Sequence, residues 1–462
     1  MPGKYPAAKP PLVWRETHDL GRFDKDPLYQ EPFNRKMWPK NGFIDDFIAH
    51  TYGRETTNFF AFWTAVSGIS GIIQRDAFLR FGEEGLFANF FNILVAEPAI
   101  AHKSTAMSLF NRIEKKMFTN MENEELYAKK KNLVIRGKAT AEAIFDAMSN
   151  RPYTKQDGEE GQTNANFIGK ISELTTLLSK AQYNAQLIDK ITDFYDCKDH
   201  DTDFTRGGNS SGQGGQRELH NIFASLFGCT TPDALKNSIP PEAFGGGFMS
   251  RCIIARQAPE DIHRIIPIPF IPPDCPDSEE MAARLLWLAN NKQGEFALSE
   301  EAYDFYKEWY TKETLELRGK AIRGETDHRD NRKTLHILKL AFLCRLQAYD
   351  RSRLVSLDDL QTAIAIYEFT NEQATNTVED IYLEGQKDGR FYKLRSIIRK
   401  AGLKGIQRRE LSRKHHFKKD ELDKFFDELN ERGEIAIVTK PIEGEMTPSG
   451  KAKSAKFMVW QG

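Results

Sequence analysis

Residues 88–113, ANFFNILVAEPAIAHKSTAMSLFNRI, constrain the fold of this chain more than any other stretch, because a strand, a turn and a helix must follow one another there without a gap. Phe90 to Val95 is an apolar run of strand length interrupted only by Asn92, the pattern of a strand covered on both faces. Residues 96–102 contain no run of strand formers, and Lys103-Ser104-Thr105 then opens a helical pattern. This is the layout of a phosphate-binding loop. In such a loop, backbone N–H groups and the helix N-terminus hold the phosphates, a lysine reaches the β/γ-phosphates, and a Ser or Thr hydroxyl holds magnesium. The candidate nucleotide contacts are therefore Pro98, Ala101, His102, Lys103, Ser104 and Thr105, with Ser104 at the magnesium.

The spacing G-x-x-x-x-G-K-[ST] requires glycines where this chain has Glu97 and His102. Glycine serves there because the turn needs unusual dihedrals and because bare backbone can approach a phosphate. An ordinary strand-to-helix connection that contains Lys-Ser-Thr stays open as the alternative.

With 462 residues the chain has the length of several domains, and 40% hydrophobic with 28% charged residues is ordinary globular composition. No apolar run is long enough to span a bilayer, and the first residues lack the order of a signal peptide. The five cysteines are scattered without a C-x-x-C pair, so reduced thiols and a cytoplasmic setting are expected. A formal net charge of −1 excludes a generally basic coat, so any DNA contact must come from local patches.

Residues 1–42 are rich in proline and charge with isolated aromatics, and read as an extended arm. Either the arm is disordered or Trp14, Phe23, Tyr29 and Phe33 anchor it on a neighbouring surface, such as the next subunit of a ring. Residues 43–82 read as helical, with Thr56-Thr57-Asn58 as a helix start. Residues 113–132 read as a solvated helix end and linker, 133–135 as a strand, the segment from Thr140 as a helix, and 151–165 as a polar loop.

Phe167 to Ile171 makes a second buried strand with Ser172-Glu173 at its end. P-loop ATPases place an acidic residue at the end of a neighbouring strand, where it polarises the attacking water or holds the magnesium shell. Glu173 fits that place. A helix N-cap serine with an acid in the first turn explains the same two residues. Residues 203–217, DFTRGGNSSGQGGQR, form a glycine-rich loop bracketed by Arg206 and Arg217, suited to single-stranded DNA in a channel or to a plain mobile hairpin. The strand ending in Cys229-Thr230-Thr231 offers a hydroxyl, Thr231, at a sensor position between the two strands above. Arg251 follows Gly245-Gly246-Gly247 and enters a new strand. Its guanidinium fork suits a transferring phosphoryl group, and a surface arginine at a strand start is the alternative.

The ordered set NFFNILVAEPAIAHKST, KATAEAIFDAM, IGKISELTTLLSKAQYNAQLIDKITDFYDC, FTRGG, LFGCTTPDALKNSIPPEAFGGGFMSRCIIAR and HILKLAFL resembles a group of phage and mobile-element replicative helicases found beside primases. The resemblance covers residues 45–375 and is most distinctive in GGGF-x-SR and SEL-x-x-LL. It implies an α/β P-loop ATPase core, RecA-like or AAA+-like, for a ring helicase. Lys103 and Ser104 would sit at ATP and Mg2+, Glu173 would be the acidic catalytic residue and a magnesium neighbour, and Arg251 a finger or sensor arginine.

The core then spans residues 43–275. The helical block 276–387 looks like the lid of an AAA+-type ATPase, where Arg329 and Arg332 face either the nucleotide or solvent. Residues 388–462 follow the helix and strand order of a winged helix, with the basic run Arg408, Arg409, Arg413, Lys414, Lys418 and Lys419 around its second helix. DNA binding or protein docking by that domain stays open. Two functions follow: a homo-oligomeric, ATP-driven DNA translocase acting beside a primase or polymerase, or a non-hydrolysing or weakly hydrolysing replication adaptor or helicase loader that binds DNA through its winged helix.

Overall fold

The computed structural model describes residues 29–121, 127, 134–135, 141–148, 152–154, 160–177, 182–204, 216–238, 247–262, 264–272, 275–322, 330–385, 389–414, 417–446 and 452–461. Trp14, Phe23, Arg206 and Arg329 lie outside them, as do the side chains of Arg217 and Lys414. The chain divides into two compact units, Met1–Thr375 and Asn376–Gly462.

In chain order the first unit carries α1 (Phe43–Thr51), α2 (Asn58–Ile73), β1 (Ala77–Phe81), β2 (Glu84–Leu86), β3 (Phe91–Val95), α3 (Lys103–Thr119), β4 (Val134–Ile135) and α4 (Ala141–Met148). A small hairpin, β5 (Pro152–Thr154) with β6 (Glu160–Gln162), precedes β7 (Asn166–Ile171) and α5 (Gln182–Phe194). Then come β8 (His200–Phe204), β9 (Gln216–His220), β10 (Phe223–Thr230), α6 (Pro232–Ser238), α7 (Phe248–Arg251) and β11 (Cys252–Arg256). The unit continues through α8 (Ser278–Asn291), β12 (Gly294–Leu298), α9 (Glu300–Ile322), α10 (Lys333–Leu346), β13 (Leu354–Val355) and the first part of α11 (Leu357–Gly385), within which the boundary between the units falls.

Five strands form one parallel sheet in the order β11-β3-β10-β7-β4. Every residue of β3, β7 and β10 is buried, as expected for central strands covered on both faces. β3 sits between β10 and β11, with Val95 level with Thr230 on one side and Arg256 on the other. β10 therefore does lie between the Lys103 strand and the Glu173 strand. The carboxyl ends of all the central strands open on one edge of the sheet, the edge where parallel α/β sheets bind ligands.

α2 is apolar all round and buried along its whole length, a core helix rather than an amphipathic one. Thr57 caps it by accepting from the Phe60 N–H at 3.2 Å. Gly68 lets α3 approach: a Cβ there would stand 2.0 Å from Phe110 Cζ. α3 buries Met107, Phe110, Ile113 and Met117 toward this contact. Glu114 on the same face pairs with Lys170 of β7, so this stretch is a packed helix before it becomes a linker.

The segment read as the end of a helix at 77–81 is instead β1. It pairs in parallel with β12, in a second sheet of order β13-β12-β1-β2. Its partner lies far downstream, which local periodicity does not register. The same pairing draws residues 276–375 onto the N-terminal helices, and one hydrophobic cluster runs from Tyr29 to Tyr367.

The described end of the arm is anchored on its own chain. Tyr29, Phe33 and Trp38 are buried in that cluster, and Glu31 pairs with the fully buried Arg264 at 2.6 Å. Arg264 also donates to the Thr56 carbonyl and to Asn58 Oδ1.

The second unit contains α12 (Gly389–Ala401), β14 (Ile406–Gln407), α13 (Arg408–Lys414), α14 (Lys419–Glu431), β15 (Ile435–Met446) and β16 (Ala452–Trp460). Its strands form an antiparallel sheet of order β14-β16-β15 over a core that includes Phe391, Leu394, Leu411, Leu422 and Met458.

Candidate nucleotide site and the opposite edge of the sheet

At the carboxyl edge, β3 ends and the chain turns through residues 96–102 into α3. Ala99 (φ 59°) and His102 (φ 45°) adopt the left-handed conformation for which glycine is normally used. The loop thus makes its turn with side-chain-bearing residues. His102 gives α3 no side-chain cap and the first turn carries no acid, so the positive end of the helix dipole faces the loop uncompensated. Pro98 and Ser104 are exposed, Ala101 is buried, and the Thr105 N–H returns to the His102 carbonyl at 2.9 Å.

Lys103 Nζ donates to the Ala96 (2.7 Å) and Glu97 (3.3 Å) carbonyls. Partial burial lowers its pKa, and the fields of Cys229, Glu173 and Glu97 oppose that shift. Those three groups are therefore its electrostatic neighbours, contributed by three separate segments. His102 Nε2 lies 3.0 Å from Glu55 Oε2, while Glu55 Oε1 accepts from the Ile266 N–H at 2.9 Å.

Glu173 stands exposed just past β7. Its Oε1 accepts from Thr175 Oγ1 at 3.2 Å. The N-cap alternative for Ser172 does not hold: the turn that follows is a short 3-10 helix (Leu174–Thr176) whose cap position is Glu173, and α5 begins at Gln182. Thr230 is buried at the tip of β10. Thr231 caps α6 by accepting from the Ala234 N–H at 3.2 Å.

Arg256 and Gln257, which sequence reading passed over, end β11 at this same edge, with the Gln257 N–H on the Val95 carbonyl at 2.9 Å. Arg256 Nε and Gln257 Oε1 are buried without a hydrogen-bond partner. An orphaned guanidinium N–H, an uncapped helix N-terminus and a lysine fit the phosphates of a nucleotide, whereas the Gln257 Oε1, an acceptor, does not. No cluster of His, Cys, Asp and Glu able to hold a metal occurs among the described residues. Ser104 and Glu173 would thus hold Mg2+ only together with phosphate oxygens and water, which is how magnesium is usually bound.

Arg251 and Arg332 are not part of this group. Arg251 ends α7 immediately before β11, whose first residue, Cys252, is level with Phe91 at the amino end of β3. The Lys103 anchor at Ala96 is five residues further along, about 16 Å at the rise of a strand. Arg251 Nη2 and Arg332 Nη1 instead meet on one carboxylate, Asp196, at 2.8 Å and 3.0 Å. Burial alone would raise the Asp196 pKa, but the hydrogen bond from Arg251 and the charge of Arg332 hold it below the usual carboxylate range. Beneath the pair lies Tyr195, edge-on to Phe91 and within cation–π distance of both arginines and of buried Lys339.

In the second unit Arg409, Arg413, Lys418 and Lys419 are exposed. Arg408 is committed internally, to Asp423 and to the Lys419 carbonyl.

No protein-family model and no curated protein matches this chain. Among solved structures, the chain is similar to a full-length MCM homologue from Methanopyrus kandleri at 13% identity and a TM-score of 0.34, over 79% of this chain and 63% of that one. The chain thus spans less than two thirds of that neighbour's length, and so loose a superposition defines neither fold nor activity. What the coordinates define by themselves is a mixed α/β unit with a parallel sheet, joined in sequence to a smaller unit with an antiparallel sheet. No helix among the described residues is long and apolar enough to cross a membrane.

Proposed function

We propose that the chain is an ATP-driven DNA translocase that hydrolyses ATP between copies arranged head to tail, in replication of a phage or mobile element. The observation that carries this reading is the separation of lysine from arginine. Lys103, Glu173 and the tip of β10 share the carboxyl edge of the sheet, while Arg251 and Arg332 lie at the amino edge. Within one chain neither Arg251 nor Arg332 reaches the Lys103 loop across that distance, although Arg256 already ends β11 at the loop edge. Between copies the two edges complement each other, and a heterologous contact that closes gives a ring. Bound ATP would supply a phosphoryl group for transfer to water. Lys103 and the N-terminus of α3 would hold its phosphates, Glu173 would orient and deprotonate the water, and Arg251 of a second copy would neutralise the developing charge.

The helix and strand order of the second unit, α12, β14, α13, α14, β15, β16, supports a winged helix, with exposed Arg409, Arg413, Lys418 and Lys419 available to a DNA backbone. A specific observation favours the adaptor alternative: Lys103 is tied to its own loop carbonyls, and the loop lacks glycine. A subunit-mixing assay tests the choice. Lys103→Ala and Arg251→Ala chains, each inactive alone, should regain DNA-stimulated ATPase when mixed, because some interfaces then carry both wild-type residues. Mixed assemblies that form yet stay inactive would place the adaptor reading first.

A further inference from the structure

The carboxylate shared by Arg251 and Arg332 belongs to the root of a hairpin. Asp196 follows α5 directly, and a few residues later β8 begins and pairs with β9. Between them Cys197 is buried with φ 49°, a left-handed conformation that a side-chain-bearing residue adopts only when its surroundings impose it. The far side of this strained link is pinned as well. Arg75 Nη1 donates to the Cys197 carbonyl at 2.6 Å and to the Ile222 carbonyl at 3.1 Å, and its Nη2 pairs with Asp199. Arg251 is under-used in this arrangement: Nη1 returns to the Gly247 carbonyl at 3.1 Å, and Nε is buried without an acceptor. Two guanidinium groups from distant elements thus converge on a single oxyanion, and one of them still has an unmatched donor.

We propose that the Arg251–Arg332 pair is a binding site for a phosphoryl oxyanion presented by a second copy of this chain, and that Asp196 is its internal stand-in. While Asp196 occupies the pair, the root of the β8–β9 hairpin is held; an arriving phosphoryl group takes the arginines and releases it. This rests on the head-to-tail reading above and adds to it a physical link from phosphate to hairpin. The link is local: the displaced carboxylate precedes the strained Cys197, so its release lets the turn relax against the Arg75 anchor. A carboxylate and a phosphoryl oxygen compete for the same forked donors, and the doubly charged group prevails once it is placed.

Hydrogen exchange on the full chain tests this with inorganic tripolyphosphate as the probe, in a Lys103→Ala background that silences the other phosphate site. Exchange of the amides in His200–Phe204 and Gln216–His220 should rise by about tenfold, the scale of one charge-assisted hydrogen bond. The rise should vanish in Lys103→Ala/Arg251→Ala and be reduced in Lys103→Ala/Arg251→Lys, which keeps the charge but loses the fork. Asp196→Asn should exchange fast before any tripolyphosphate is added. An unchanged hairpin in Asp196→Asn, or a tripolyphosphate response that persists without Arg251, overturns the proposal. Separately, failure of the wild-type chain to bind ATP would overturn the proposed function and leave the tripolyphosphate result standing by itself.

Discussion

Substituting Gly68 by Ala tests whether α3, and with it Lys103, is positioned by close packing on α2. The added Cβ would stand 2.0, 2.2 and 2.3 Å from Cζ, Cε2 and Cε1 of Phe110. Carbon atoms pack at about 3.5–4.0 Å, so either the helices part by more than an ångström or the Phe110 ring moves. The ring has little room, being 2% exposed and edge-on to Phe43 and Phe47 at centroid distances of 6.0 and 5.6 Å. Overpacking of this kind costs about 1–3 kcal/mol. Urea unfolding should therefore show a lower midpoint with an unchanged slope, and ATP affinity should weaken because Lys103 lies two turns up the displaced helix. Shortening the ring, in Gly68→Ala/Phe110→Leu, should restore most of both losses. A Gly68→Ala chain with wild-type stability would falsify the packing argument. A destabilised chain that Phe110→Leu fails to rescue would place the clash elsewhere.

Glu173→Gln should keep ATP bound while turnover falls at least a hundredfold, about the contribution of a positioned base, because the amide keeps the shape but takes no proton; undiminished turnover in a single-turnover assay would remove Glu173 from the chemistry. Lys339 gives a stability signal with a defined sign. Burial pulls its pKa from 10.5 down to about 7, so between those values the unfolded chain binds a proton that the folded one does not. Stability contributed by neutral Lys339 is present in full above the unfolded pKa and is lost as pH falls through the folded value. Wild-type unfolding free energy should then rise with pH from 7 toward 10 by up to about 1.4 kcal/mol per unit more than that of Lys339→Met, and parallel profiles for the two chains would refute it.

The carboxyl-edge site was legible because each of its parts is local in sequence. Phe91–Val95 runs into Lys103, Asn166–Ile171 into Glu173, and Phe223–Thr230 into Thr231, so an apolar run followed by a polar tip marked every one. Arg256 and Gln257 carry the same signal, an apolar strand with a polar end, and could have been found by it. Nothing in the sequence reading singled them out, and it is the alignment of β11 with Val95 that places them at the loop. Asp196 has no such signal. It sits in a polar turn after an amphipathic helix, and its meaning comes from arginines that tertiary structure brings from far downstream. β1 was misread for a related reason: AFLRF acquires its strand identity from Gly294–Leu298. The aromatics of the arm gave only a pair of alternatives, and the ion pair of Glu31 with Arg264 is what fixes Tyr29, Phe33 and Trp38 in the core of their own chain.

The missing glycines change meaning once the loop is seen. A left-handed conformation costs a side-chain-bearing residue about 1–2 kcal/mol, and the loop carries two, at Ala99 and His102. Such strain persists only where the surroundings hold it in place. Here the holding contacts are Glu55 on His102, the Thr105 N–H on the His102 carbonyl, and Lys103 across the Ala96 and Glu97 carbonyls. A glycine loop reaches this geometry without a tether, whereas this one reaches it through side chains that also contact the rest of the protein. Glu55 connects directly to the Ile266 backbone, where Ile265, Ile268, Phe270 and Ile271 lie exposed. Phosphate drawing Lys103 off its carbonyls would remove one of the contacts that hold the strained loop, while the Glu55 contact on His102 would stay. With glycine in place of His102 no side chain would be present to make the Glu55 contact.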